Sequence, residues 1–325
     1  MRDKILVLGG SGFVGRAILA GLAAMPGLEP VCAVHRRAPP AGIAARAVDA
    51  TDAASLRQAL AGMSGAVNAV LGSDRTMRRA TANLCAAAAG GQLKRLIHIS
   101  SMAVYGPATG LVDETATLPH AAAGSSYAAS KLACEAIVQA LIAAGGDAVI
   151  LRPGIVHGPG GEQWTGRLCR MLRAGRLGQL GRLGEGYCNL TYAADLGAAC
   201  AAALITPDAA GDIYNISTPH PPRWNAMLAD LAQAIGAPWR PIGQRRLALE
   251  AALAYPLAAA NIAAARAGLP ARILPEPISP ALQRLMAQQI RLDHRRADWM
   301  LRFARTPDQA ALATSAAWFL HARGR

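Results

Sequence analysis

The stretch that decides the fold is Ile5-Leu6-Val7-Leu8-Gly9-Gly10-Ser11-Gly12-Phe13-Val14-Gly15. A short apolar run ends in a cluster of glycines, and a helical pattern over 13–24 follows at once. Glycines let the backbone turn tightly and approach a pyrophosphate without a Cβ in the way. The start of the helix then offers free N–H groups and a partial positive charge to the phosphates. In a chain with 33 glycines the bare spacing is weak. Its place between a strand and a helix makes it a dinucleotide-binding turn. Gly9, Ser11, Gly12, Phe13, Val14 and Gly15 are its cofactor-facing residues.

Outward from this turn, apolar runs at 5–8, 31–34, 66–71, 93–99 and 148–151 read as strands. Helical patterns at 13–24, 53–61, 77–89 and 127–144 lie between them. Strand–helix alternation with continuous apolar strands predicts an α/β fold, a Rossmann-type doubly wound parallel sheet covered on both faces. After Arg152 the pattern changes. Gly and Pro gather at 153–161, an Arg-rich helix is expected over 163–177, and 178–186 is Gly-rich. A further strand is expected at 213–216. The expected organisation is a dinucleotide-binding domain over 1–160, with returning segments near 190–217. A smaller, mostly helical, discontinuous substrate lobe takes 161–325.

Composition sets the outer limits. The chain has 325 residues, 53% apolar and 16% charged, which excludes a disordered or miniature protein. The net charge is +13, and only Lys4, Lys94 and Lys131 among the 33 basic residues are lysines. Such a balance fits a phosphorylated cofactor or substrate, an anionic membrane surface or nucleic acid, or simply solvated arginines. The six cysteines form no CxxC pair and no zinc spacing with the histidines, so no metal is expected, and they read as buried thiols of a cytoplasmic protein. No transmembrane segment is expected. The nearest apolar stretch, 247–269, is interrupted by Glu250, Pro256, Asn261 and Arg266.

The second strand ends in Val34-His35-Arg36-Arg37. An acidic residue there binds the ribose hydroxyls of NAD, whereas guanidinium groups pair with a 2′-phosphate. NADP(H) is therefore favoured over NAD(H), with Arg36 preferred to Arg37 as the contact. Asp49 can accept from the adenine amino group, and Ala50 and Leu71 complete that part of the cofactor set.

Tyr127-Ala128-Ala129-Ser130-Lys131 places a phenol and an amine one helical turn apart on one face. A nearby ammonium favours phenolate and is expected to lower the tyrosine pKa. A tyrosine so poised exchanges a proton with an alcohol or ketone oxygen. Ser100-Ser101 closes the strand before it, where strand ends face the ligand crevice, and a hydroxyl there can bind the same oxygen.

With these motifs in place, the chain resembles an extended short-chain dehydrogenase/reductase of the NAD(P)-dependent epimerase/dehydratase superfamily. The resemblance rests on 6–15, 97–106, 127–131, Leu151-Arg152-Pro153, Gly158-Pro159-Gly160, 192–195 and Tyr214-Asn215-Ile216. It implies Tyr127 as acid/base, Lys131 as the residue holding the nicotinamide ribose, and Ser101 as the ligand of the reacting oxygen. It places Pro153 to Val156 along the nicotinamide. Departures stand beside it. Met77 takes the place of a common helical Asn, 72–76 replaces a longer loop, and Cys188 takes the place of an Arg that holds the diphosphate of sugar nucleotides.

The resulting expectation is an oxidoreductase that transfers hydride at a secondary alcohol or ketone of a small-molecule substrate. The alternative is a sugar-nucleotide epimerase with the same Ser-Tyr-Lys set. A third reading, a non-catalytic NADP sensor or nucleic-acid-binding relative, fits the charge but not the 4% aromatic content, and no nucleic acid partner is expected. The resemblance also implies a homodimer through the Tyr127 helix and the helix before it.

Overall fold

The computed structural model describes residues 2–35, 37–119, 126–267 and 277–322. The chain divides into two compact units. The first comprises Met1–Gly158, Leu190–Pro219 and Leu292–Asp308; the second comprises Pro159–Asn189, His220–Arg291 and Gln309–Arg325.

In the first unit the order is β1 (Asp3–Leu8), α1 (Phe13–Ala24), β2 (Leu28–Val34), β3 (Ala44–Ala47), α2 (Ala53–Leu60), β4 (Gly65–Asn68), α3 (Asp74–Ala89), β5 (Arg95–Ile99), β6 (Gly110–Val112), α4 (Ser126–Ala143), β7 (Ala148–Pro153) and β8 (Ile155–His157). After the second unit's α5 (Arg167–Arg173), the chain returns as β9 (Leu190–Tyr192), α6 (Ala193–Ile205) and β10 (Ile213–Ile216). The main sheet has seven strands in the order β10-β7-β5-β4-β1-β2-β3, and its paired strands are parallel. The order reverses between β1 and β4, which opens a crevice at the carboxyl ends of those strands. Ile5, Val7, Ile97, Ile99, Val149 and Leu151 bury one face against α1 and α6. Leu6, Leu8, Ala66, Leu96, Ala148 and Ile150 bury the other with residues of α2, α3 and α4. This is the doubly wound Rossmann-type sheet read from the sequence.

Several boundaries differ from the expectations. The strand expected over 66–71 stops at Asn68, because the Asn68 side-chain oxygen takes the N–H of Val70 and turns the chain. The helix expected from 77 starts at Asp74, where Ser73 caps it by accepting from Thr76 N–H. The edge strand β3, Ala-Ala-Arg-Ala, carries no apolar alternation that a sequence reading could detect.

A buried polar cluster ties α4 to the sheet. Arg152 on β7 donates from Nε and Nη2 to both carboxylate oxygens of Glu135 on α4, at 2.9 and 2.7 Å. Its Nη1 donates to the Tyr105 hydroxyl at 2.9 Å, and that hydroxyl donates to Asn215 on β10 at 2.7 Å. Arg152 and Glu135 are each only 1% exposed, so their charges must be matched to each other. Glu135 stands four residues beyond Lys131, so the same helix that carries Lys131 is pinned to β7 from inside.

The second unit is mainly helical: α5, α7 (Trp224–Ala234), α8 (Gln244–Arg266), α9 (Pro280–Ala287) and most of the final helix, Asp308–Ala322. Trp224 is fully buried, with the Trp164 ring 6.2 Å from it. The helix expected over 163–177 is instead a wide turn, Glu162–Gly166, running into α5. The N–H of Gly166 reaches back to Gly161 O, and α5 ends before the positive φ of Gly175. The helix α8 contains Pro256 and runs unbroken through it. The proline removes one helical hydrogen bond, but residue 252, one turn earlier, is exposed and its freed carbonyl can be solvated.

Candidate active site

The glycine turn sits where the sheet order reverses. Gly9 has φ +76°, and a Cβ there would collide with the Ala69 carbonyl. A Cβ on Gly15 would collide with the Gly9 carbonyl. Both contacts are with backbone, so the turn closes only with glycine. Gly12 is the N-cap of α1 with no side-chain cap, and the first turn carries no acidic residue. The helix start is thus left with unpartnered donors and no competing negative charge, which fits a diphosphate.

At the far end of this region, Asp49 accepts from the Thr51 N–H (2.9 Å) and hydroxyl (2.7 Å) through Oδ1. Those bonds hold its carboxyl below the ordinary range. Asn83 on α3 donates to the Ala50 carbonyl. Leu71 is 73% exposed, an apolar surface beyond the end of β4. Arg37 is exposed, and Arg36 lies outside the described residues. Sequence reasoning overlooked Arg16. Its Nε donates to the Ser11 carbonyl at 3.2 Å, and its charge is felt at Cys32 on β2. A cation in the first turn after the third glycine, facing the end of β2, was the available signal.

The Ser-Tyr-Lys residues converge. Ser101 follows β5 and caps the 3₁₀ turn Met102–Tyr105, its hydroxyl accepting from Ala103 N–H at 3.2 Å. The same hydroxyl is hydrogen-bonded to Tyr127. Lys131 is buried, and its Nζ lies 5.9 Å from the Tyr127 ring centre while donating to the Ile99 carbonyl at 2.7 Å. The expected lowering of the Tyr127 pKa does not occur. Burial around the hydroxyl raises it, the Ser101 hydrogen bond opposes that rise, and the ammonium is turned toward Ile99. Tyr127 is nonetheless 38% exposed. Burial also lowers Lys131 to about 8.

Beneath this set, His98 and Ser100 point to the α3–α4 face of β5. Asn68 Nδ2 donates to Thr81 and to His98 Nδ1, leaving His98 Nε2 as the protonated nitrogen. Among the described residues neither His98 Nε2 nor the Ser100 hydroxyl has a hydrogen-bond partner. Burial lowers the His98 pKa to about 3, so the ring is neutral. Pro153 ends β7, and the next N–H, of Gly154, is held by the Ile216 carbonyl and the Thr191 hydroxyl. Val156 on β8 is half-buried. In the second unit Cys188 is completely buried, its N–H on the Pro222 carbonyl. Among the described residues no group of three His, Cys, Asp or Glu could hold a metal ion.

Residues 5–217 match the NAD dependent epimerase/dehydratase family, and the chain belongs to it. The 2-alkyl-3-oxoalkanoate reductase of Stenotrophomonas maltophilia (strain K279a) is 31% identical over 258 residues, covering 72% of this chain and 76% of that protein. The 2'-dehydrokanamycin reductase of Streptomyces kanamyceticus is 30% identical over 252 residues, covering 74% and 68%. Among solved structures, a dTDP-glucose 4,6-dehydratase from Streptomyces venezuelae with NAD and TYD bound shares the fold at TM-score 0.74, 21% identity, and 99% and 98% coverage. A UDP-glucuronic acid 4-epimerase from Bacillus cereus with NAD does so at TM-score 0.72, 20% identity, and 98% and 99% coverage. The chain is thus an extended short-chain dehydrogenase/reductase that uses a nicotinamide cofactor.

Proposed function

We propose that this chain is an NADPH-dependent ketone reductase in which Tyr127, Ser101 and Lys131 form the catalytic set. The observation that carries the reading is the meeting of those three side chains at the carboxyl end of β5. When bound, the nicotinamide supplies the hydride. The Tyr127 phenol, protonated at neutral pH, gives its proton to the ketone oxygen as negative charge develops there. The Ser101 hydroxyl holds the same oxygen. Lys131 holds the ribose and keeps a positive charge beside the phenol.

Two observations separate this reading from a sugar-nucleotide epimerase. The buried Cys188 thiol offers no charge to a diphosphate. Both curated relatives are named as reductases, which directs the substrate search to ketones. NADPH is preferred because β2 leads into His35-Arg36-Arg37 with no carboxylate, and Arg16 adds a cation from α1. Arg36→Ala should weaken NADPH by about 10- to 100-fold, the usual worth of a charge-assisted hydrogen bond, and leave NADH nearly unchanged. Equal losses for the two cofactors would remove the 2′-phosphate assignment. The reading also takes the chain as a cytoplasmic homodimer through α3 and α4, which sedimentation of the purified protein tests.

A further inference from the structure

The helix α8 stands apart in the second unit. Only Leu247, Glu250 and Ala254 are buried, all on one side of its first half. Beyond Ala254 no described residue of the helix is buried. The outward arc carries Leu249, Leu253, Tyr255 and Ile262, exposed by 58, 42, 74 and 55%. A helix this apolar is ordinarily covered by protein or by lipid.

Charge decides which. Between Arg246 and Arg266 the one charged residue is Glu250, which faces inward and is bound by Arg176 at 2.6 Å. Residues 247–265 thus form a stretch of about 19 residues, roughly 28 Å at helical rise, whose one charge is turned inward, bounded by Arg245 and Arg246 at one end and Arg266 at the other. A second copy of the chain laid antiparallel on this face would set Arg245 against Arg266. Laid parallel, it would set each arginine against its own image. Both arrangements bring like charges together, on a chain already at +13. An anionic lipid surface complements both features, taking the apolar side chains at the acyl boundary and the arginines among its headgroups. Tyr255, the most exposed of the four, has the amphipathic ring favoured at that boundary.

We propose that α8 docks this chain onto an anionic lipid surface, lying in the interface with its Leu249–Leu253–Tyr255–Ile262 arc inserted. The buried side of the helix, held by Glu250 to Arg176, keeps it on the protein, so it lies along the bilayer rather than crossing it. The proposal is independent of the reductase reading.

The test is co-sedimentation of the full chain with phosphatidylglycerol/phosphatidylcholine vesicles and with pure phosphatidylcholine vesicles. Binding to the anionic vesicles, weakened by added salt, is expected. Leu253→Asp with Ile262→Asp should lower the partition coefficient about tenfold or more, and Arg245→Glu should lower binding to the anionic vesicles. Both variants change exposed positions, and an unchanged melting temperature verifies that they fold. Equal binding to neutral vesicles would overturn the proposal. So would undiminished binding by the double variant, which would mark attraction through the general positive charge alone. A chain that ignores both vesicles and is a dimer broken by Leu253→Asp would overturn it in favour of a second copy.

Discussion

Glu135→Ala tests the link between the buried core and the site. In the wild-type chain, Arg152 is 1% exposed and gives two hydrogen bonds to Glu135. Removing the carboxylate leaves a buried guanidinium with its Tyr105 and Glu114 contacts only. Breaking one side of a buried pair costs about 3–5 kcal/mol, mainly because the remaining charge loses its match. Stability changes of this kind move the melting temperature by roughly 2–4 °C per kcal/mol in a body the size of the first unit, so a fall of about 6–20 °C is expected. Differential scanning fluorimetry supplies the first value and urea unfolding the free energy. The double variant Glu135→Met, Arg152→Met removes both charges and should recover most of the loss. A fall below about 2 °C for the single variant, or an additive double variant, would refute the claim that a matched charge pair pins α4 to β7.

The other expectations concern the site. Tyr127→Phe should lower kcat by about 10²- to 10⁴-fold with cofactor affinity retained, measured by steady-state kinetics and cofactor titration; normal turnover would exclude Tyr127 as the acid. Lys131 releases its proton near 8 rather than 10.5. Reduction should therefore fall as pH rises past about 8, whereas the unfolded chain holds that proton longer, so this group's contribution to stability rises with pH between those values. A pH–rate profile flat to pH 10 would contradict the lysine assignment. Gly9→Ala should weaken binding of either cofactor, because its Cβ meets the Ala69 backbone at a positive φ; isothermal titration measures the loss, and unchanged affinity would show that the turn tolerates a side chain. Arg16→Ala should narrow the gap between NADPH and NADH affinities without changing kcat, and a gap left intact would remove Arg16 from the cofactor site.

The parallel sheet was legible because β1, β4, β5, β7 and β10 each hold an apolar run that ends at or beside Gly, Ser or Asn, and the helices between them keep their own period. The Gly9–Gly15 turn was legible because backbone contacts leave no room for a Cβ there. Residues 44–47 were not, since an exposed edge strand of Ala and Arg carries no hydrophobic signal. The start of α3 was missed because Ser73-Asp74 is a capping signal that lies before any apolar residue. Ser101, Tyr127 and Lys131 could be paired by spacing and strand-end position. The direction of the Tyr127 pKa could not, because it depends on how the surrounding atoms exclude water. Arg152 appeared only as part of a motif, and its partners Glu135, Tyr105 and Asn215 are spread over more than a hundred residues of sequence.

The most direct measurement follows deuterium from NADPH labelled at the transferring position of the nicotinamide into the alcohol formed from a ketone substrate, by mass spectrometry. The account predicts one deuterium at the new carbinol carbon and one NADPH consumed per product formed, with both lost together in Tyr127→Phe. A substrate isomerised with no label gained and no external cofactor consumed would contradict it, and would make the chain an epimerase.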